Sequence, residues 1–392
     1  RLEQQREGLV KRVALPKTLA AVGAALLLLN SPVAPDQTLL DWQPVRVVQG
    51  IPLYQEEVWI GDDRIPVAIV VISLTAGQLR PIWANPASLV GLGELSSFGP
   101  EQGAVAAING GFFNRNTRQP LGAIRRDGRW ISSPILGRGV IAWSDGTAGQ
   151  SVRFARLQMQ AELRNDLGDR IPLVGINSGY ILPGVAQYTP DWGSTYTTQT
   201  DGEMLLMVRQ DQVQDILPAG LAGSLTVPIP PNGYVLAARG LEGALEAGKL
   251  IAGDRLKLSW TVDPPELAAY PHMLGAGPLL LLDGQVVLDA QLEGFQPLFR
   301  RQRAARSAVG QLDNGHLLWV TAGNAQENQG LTLLEMAQLM QQLGCRHALN
   351  LDGGNASTLV LGGEAVNWQH RHPEQRTPRV HNGLGFFPSP SR

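Results

Sequence analysis

RSAVGQLDNGHLLWVTAG, residues 306–323, sets two apolar runs on either side of Asp313-Asn314-Gly315. Asn-Gly between such runs is a strong short-range signal for a hairpin. With Asn314-Gly315 as the turn, Asp313 pairs with His316 and Arg306 with Gly323. A turn slipped by one residue moves this pairing but leaves Arg306 at the same sheet edge. Downstream, Thr332 and Glu335 have the T-x-x-E spacing of a capping box. Leu333, Met336, Ala337, Met340 and Leu343 make an apolar stripe at helical spacing, and Gly344 suits the residue after the helix. The short apolar run HALNL follows, then Asp352-Gly353-Gly354. Strand, helix, strand predicts a βαβ crossover with two parallel strands. Asp352 then sits at the C-terminal end of its strand, on the edge that carries Arg306, where open α/β sheets usually place their sites. Gly353 and Gly354 permit a sharp turn and close approach of a ligand. Ser357 and Thr358 add small hydrogen-bonding side chains. The alternative is a structural Arg–Asp pair beside a common loop tripeptide.

The same logic recurs upstream. In EQGAVAAINGGFF, residues 101–113, an apolar strand ends at Asn109 and is followed by Gly110 and Gly111. An amide at a strand tip can both donate and accept, which suits a sugar hydroxyl or a phosphate oxygen. It also suits a plain glycine turn. AIRRDGRWI reads as a hairpin around Asp127-Gly128. Gly275 and Gly277 precede a four-leucine strand, so this loop is a candidate for gripping phosphate, although it is neither a P-loop nor a dinucleotide fingerprint. Near the end, Arg371, Arg376 and Arg379 gather with His370, His372 and His381 against one acid, Glu374. That composition fits an anion-binding rim or a solvated loop, and Arg379, beside the last apolar strand, is the better candidate.

Composition bounds the rest. The 392 residues are 44% hydrophobic, which allows a sizeable core, and 45 Gly with 27 Pro favour many short strands and turns. The expected fold class is α+β: a mixed β-sheet core, a βαβ unit near the C-terminus and a β-rich inserted lobe at about residues 150–270. A net charge of −2 implies no general attraction to nucleic acid. The single cysteine, Cys345, rules out an intrachain disulfide and reads as a small buried residue. No metal-ligand cluster of sensible spacing stands out, so no metal and no cofactor are expected. Tyr188, Trp192 and Tyr196 suit either stacking on sugar rings or packing. Residues 1–38 begin basic and then carry an uncharged run from Leu19 to Leu29, shorter than the roughly 20 residues of a spanning helix. That pattern predicts a signal peptide or signal anchor with a linker. The protein is therefore expected to be exported to the periplasm, cell envelope or medium, touching membrane only through this segment.

INGGFF, GAGPLLLLDGQ, RSAVGQ, NLDGGNASTLVL and RVHNGLGFF occur in an order and spacing that resembles the phosphodiester glycosidase family, whose bacterial members are often described as exopolysaccharide-related envelope proteins. The resemblance covers about residues 65–388 and implies one such domain at 39–388. Asn355 and Ala356 depart from the family's usual Asp-Gly-Gly-Gly/Ser-Ser loop, and Ser178-Gly179 replaces an arginine often found after the Ile-Asn pair. The resemblance implies hydrolysis between the anomeric carbon of a sugar and a phosphodiester oxygen. A phosphate monoester is a good leaving group, so the needs are a fixed cation for its charge and a carboxylate for the oxocarbenium-like carbon. Arg306 suits the cation, with Arg379 as a second, and Asp352 suits the carboxylate. Asn109, Gly110, Gly277, Gly353, Gly354, Ser357 and Thr358 are the expected substrate-binding positions. The expected partner is a phosphorylated sugar or polysaccharide. The rival expectation is a non-catalytic envelope protein that binds an anionic glycan through the same edge.

Overall fold

The computed structural model describes residues 42–145, 151–218, 220–368 and 376–389. The expected signal segment and the positions His370, Arg371 and His372 lie outside these. The described residues are mostly β, with 47% strand and 13% helix. An eight-stranded sheet runs in the order Arg46–Val48, Ile51–Ile60, Asp63–Ile72, Leu317–Ala322, Arg306–Leu312, Cys345–Asn350, Leu279–Leu282, Gln285–Val286. Every pairing in it is antiparallel.

Burial on both faces explains why Leu317–Ala322 is apolar except for Thr321. Leu318, Val320 and Ala322 face one side and pack with Met336, Ala337 and Met340 of the helix Leu333–Gln342. Leu317 and Trp319 face the other side and join Val70, Val309 and Leu349 in the main core. Both faces of this strand are covered. The helix begins with the expected capping box: Thr332 Oγ1 accepts from the Glu335 amide at 3.2 Å, and Glu335 Oε2 accepts from the Thr332 amide at 2.8 Å. Helix and sheet approach closely at Gly310, where a Cβ would lie 2.6 Å from Met340 Cε and 2.5 Å from Cys345 Sγ. Cys345 is buried, and burial pushes its thiol pKa up, which fits a packing role.

The α+β expectation is corrected here. Leu317–Ala322 and Cys345–Asn350, the strands joined by this helix, do not pair with each other. Both pair antiparallel with Arg306–Leu312, which lies between them. They run in the same direction one strand apart, so no adjacent parallel βαβ pair forms. Sequence order reveals neighbours in the chain, not which edge of a hairpin the next strand will take. The hairpin itself forms around Asp313–Gly315, with the Leu312 amide donating to the His316 carbonyl at 2.9 Å and Gly315 at φ +83°. Arg306 thus pairs with Ala322 rather than Gly323, a shift of one residue.

A second, five-stranded antiparallel sheet has the order Glu364–Ala365, Leu359–Leu361, Ala106–Asn109, Asn382–Pro388, Gly77–Trp83. It brings the tip of Ala106–Asn109 up to the end of Cys345–Asn350. Another five-stranded sheet includes the hairpin Ile124–Arg126 and Arg129–Ser132 around Asp127-Gly128. A seven-stranded sheet is built from residues 158–263. Its one parallel pair is Arg170–Ile176 with Gly184–Tyr188.

Tyr188, Trp192 and Tyr196 pack rather than present faces to solvent. Tyr188 and Tyr196 are fully buried, with ring centroids 4.3 Å apart, and Trp192 meets Tyr188 edge-on at 4.8 Å. Their hydroxyls complete a buried ion pair. Arg239 Nε donates to Glu203 Oε1 at 2.6 Å, its Nη2 donates to both tyrosine oxygens, and Tyr196 donates to Glu203 at 2.7 Å. Removing one member strands a desolvated charge. Glu203→Ala should therefore lower the unfolding free energy by about 3–5 kcal/mol in urea melts. A loss below about 1 kcal/mol would show that water reaches this pair.

Candidate active site

Asp352 lies just beyond the end of Cys345–Asn350. Ala308 pairs with Asn350, so the same register carried two residues further sets Arg306 opposite Asp352 on one face. The loop closes back on that strand through the Gly354 amide, which donates to the Ala305 carbonyl at 2.6 Å. Gly353 lies against Arg306: a Cβ there would be 2.9 Å from the Ala305 carbonyl oxygen and 3.7 Å from Arg306 Nη1.

Asn109 ties three segments together. Its Oδ1 accepts from Ser307 Oγ at 2.7 Å and from the Thr358 amide at 2.9 Å, and its Nδ2 donates to the Asp352 carbonyl at 2.7 Å. The Asp352 amide in turn donates to the Gly110 carbonyl at 2.9 Å. Asn109 is 1% exposed, so its amide positions the loop from behind. Asn382 secures the neighbouring turn. Its Oδ1 accepts from the Gly111 amide at 2.7 Å, and a Cβ on Gly110 would come within 2.3 Å of that oxygen. His381 Nε2 donates to the Leu89 carbonyl at 2.6 Å, and its ring stacks near Phe113. Burial lowers the His381 pKa to about 4, so the ring is neutral at neutral pH.

The Asp352 carboxyl is partly exposed, and its pKa is pushed up to about 7. Desolvation is the main cause and outweighs the opposing pull of Arg115, the Gly353 amide at 3.0 Å, Arg306 and Arg138. Arg306 is 1% exposed. Its Nε donates to the Leu331 carbonyl at 2.9 Å, its Nη2 donates to the Gln302 carbonyl at 2.6 Å and the Phe299 carbonyl at 3.4 Å, and the guanidinium lies over the Phe299 ring. Burial lowers its pKa to about 10, which leaves it charged at neutral pH. Arg138 packs over Phe295 and Phe112, and its Nε donates to the Glu293 carbonyl at 3.3 Å. Glu293 itself is buried: it accepts from the Gly139 and Leu279 amides and from Arg156, so it braces the strands rather than facing a ligand.

Beside this loop a cavity of about 580 Å³ is lined by Phe113, Arg115, Asn355, Trp368 and Arg379, among others. Arg379 Nη2 donates to the Leu92 carbonyl at 2.9 Å, and Arg376 pairs with Glu94 at 3.6 Å. The structure thus brings Asp352, Gly353, Gly354, Arg306, Asn109 and Gly110 together, with Arg379 on the wall of the adjoining cavity. Thr358 is buried and donates to the Ala356 carbonyl, while Ser357, 2% exposed, has an Oγ with no partner among the described residues. Gly277 is bonded to Asn350, two residues before Asp352. Its amide donates to the Asn350 carbonyl and its carbonyl accepts from Asn350 Nδ2, so the proposed phosphate loop has its backbone groups occupied.

Sequence reasoning passed over Arg115, Arg138 and Asn382. Arg115 follows Asn109 by six residues in a polar loop, and that closeness to a strand tip was the available signal. It also passed over Asp127, Asp145 and His272, whose ligand atoms converge within 4.8 Å among the described residues. Arg80 already places a cation there, 2.6 Å from Asp145 and in contact with His272.

The raised pKa carries a sign that can be checked. An unfolded aspartate loses its proton near pH 4, whereas the folded one holds it until about pH 7. This contribution to stability is full below about pH 4 and is lost as pH rises through about 7. Asp352→Asn removes the drift, so the variant should gain on the wild type between pH 4 and 8 by on the order of 1–4 kcal/mol in paired urea melts. A difference that stays flat across that range would mean the carboxyl titrates normally.

A family model described as phosphodiester glycosidase matches residues 200–387. The mouse N-acetylglucosamine-1-phosphodiester alpha-N-acetylglucosaminidase is 35% identical over 94 residues, 23% of this chain and 18% of the mouse protein. The chain therefore aligns with less than a fifth of that relative's length. A hypothetical protein from Synechocystis has the same fold at a TM-score of 0.81 and 38% identity, over 89% of this chain and 64% of that one. A Burkholderia pseudomallei protein designated as exported shares the fold at a TM-score of 0.69 and 23% identity, over 83% of this chain and 74% of that one. Among the described residues no helix is long and apolar enough to cross a membrane. The family whose model matches residues 200–387 is the one that the ordered motifs resemble.

Proposed function

We propose that this protein hydrolyses a sugar-1-phosphodiester at the bond between the anomeric carbon and the phosphate oxygen, outside the cytoplasm, on an envelope or exopolysaccharide glycan. The observation that carries the reading is the Asp352 carboxyl, raised to a pKa of about 7, in a loop whose next residues Asn355 and Ala356 line a cavity that also holds Arg115 and Arg379. Water replaces the phosphate at the anomeric carbon, the carbon–oxygen bond breaks, and a phosphate monoester leaves. Asp352, ionised, opposes the positive charge that develops on the sugar.

The roles of the arginines divide by exposure. Arg306 is held by three carbonyls, so it acts on Asp352 as a buried charge. Arg115 and Arg379 are exposed on the cavity wall, Arg379 with one Nη2 bond to the Leu92 carbonyl, and both can meet the leaving phosphate. Phe113 and Trp368 supply apolar surface for a sugar ring. The curated relatives named for N-acetylglucosamine make that sugar the first to try.

The test is incubation with a sugar-1-phosphodiester and analysis for free reducing sugar. Turnover should rise with pH through about 7 and then level. Asp352→Asn should lower kcat at least about a hundredfold while ligand still binds, and Arg115→Ala should act mainly on KM. A wild-type protein that binds the ligand without ever releasing reducing sugar would instead be the glycan-binding envelope protein.

A further inference from the structure

A second cavity, of about 520 Å³, is lined in part by residues close in the chain to those lining the first. Val90 lines this one and Leu92 lines the other. The hairpin made by Phe113–Asn114 and Gln119–Pro120 divides them: Phe113 and Arg115 face the arginine cavity, and Gln119 faces the second. The connection is also bonded. The Leu89 amide donates to the Asp191 and Trp192 carbonyls beside the second cavity, and the Leu89 carbonyl accepts from His381, which stacks near Phe113 in the first.

The chemistry of the two cavities differs. None of the described residues lining the second is charged. Its polar groups are hydroxyls and carboxamides: Ser194, Thr195, Thr197, Gln119 and Gln199, with the edge of Trp192 beneath. Alternation along Thr195–Thr197 produces this surface, since Tyr196 points into the core and the two threonines point out. Gln119 is the pointed observation. It is 9% exposed, and its side-chain amide has no hydrogen-bond partner among the described residues. Its carboxamide keeps contact with solvent, so its oxygen and its NH2 are both open to a ligand in the cavity. Gln199 donates to the Tyr188 and Tyr196 hydroxyls, at 3.3 and 3.4 Å, which leaves its Oε1 to accept.

We infer that this second cavity binds a neutral sugar unit, through the Gln119 and Gln199 carboxamides and the Ser194 and Thr195 hydroxyls. Uncharged planar amides and hydroxyls match the paired donor and acceptor of sugar hydroxyls, and no cation is present to favour phosphate. Its position beside the arginine cavity makes it a subsite for the part of a glycan that carries no charge. The assignment does not require the first cavity to be hydrolytic.

The experiment is calorimetric and NMR titration of the whole protein with N,N′-diacetylchitobiose, maltotriose, cellotriose and mannotriose. At least one should bind, and Thr195→Arg, which fills the groove from an exposed strand position, should weaken it about tenfold or more. Gln119→Ala should do the same with the melting curve unchanged, and Asp352→Asn should bind as the wild type does. Failure of every glycan to bind, or equal binding by both groove variants, would overturn the inference. Loss of hydrolysis in Asp352→Asn with glycan binding intact would separate this subsite from the reaction next to it.

Discussion

One carboxamide holds the candidate site in register. Asn109 ends a strand of the five-stranded sheet, yet its bonds go to Ser307 in the eight-stranded sheet and to both ends of the loop that carries Asp352. Three short bonds to a buried amide fix that loop in a way that no flexible lysine or exposed serine could. The two glycines after Asn109 matter for the same reason: a Cβ on Gly110 would collide with Asn382, and one on Gly111 with the Gly275 carbonyl. Desolvation of Asp352 follows from this tight joint, and the raised pKa follows from desolvation.

The electrostatics then divide into a fixed part and an adaptable part. Arg306 and Arg138 are packed against aromatic rings and tied to carbonyls, so their charges cannot follow a ligand. They set the background field at Asp352. Arg115 and Arg379 stand exposed at the cavity wall, where an anion can reach them. A rigid field beside exposed cations suits a reaction in which charge separates.

What the sequence revealed and hid follows from how local each feature is. A polar residue at a strand tip with two glycines behind it marked Asn109 and Asp352, because that signal depends on a few adjacent residues. The capping box at Thr332 and Glu335 was legible for the same reason. The strand order was not: Arg306–Leu312 has two edges, and nothing in its own residues says which strand takes the second. The carbonyls that hold Arg306 come from residues 299, 302 and 331, so its burial emerges only from tertiary packing. Arg115 was missed because an exposed arginine in a polar loop looks like any other until a cavity forms beside it.

Strand pairing also says something about where this protein could be divided. The family similarity starts at residue 200, but the pairing does not respect that boundary. Leu317–Ala322 leans on Asp63–Ile72, and Leu359–Leu361 and Asn382–Pro388 both lean on Ala106–Asn109. A fragment cut at the similarity boundary would expose the flanks of three hydrophobic strands at once, with nothing to cap them. Such raw edges recruit one another, so the excised piece is a template for aggregation rather than a minimal enzyme.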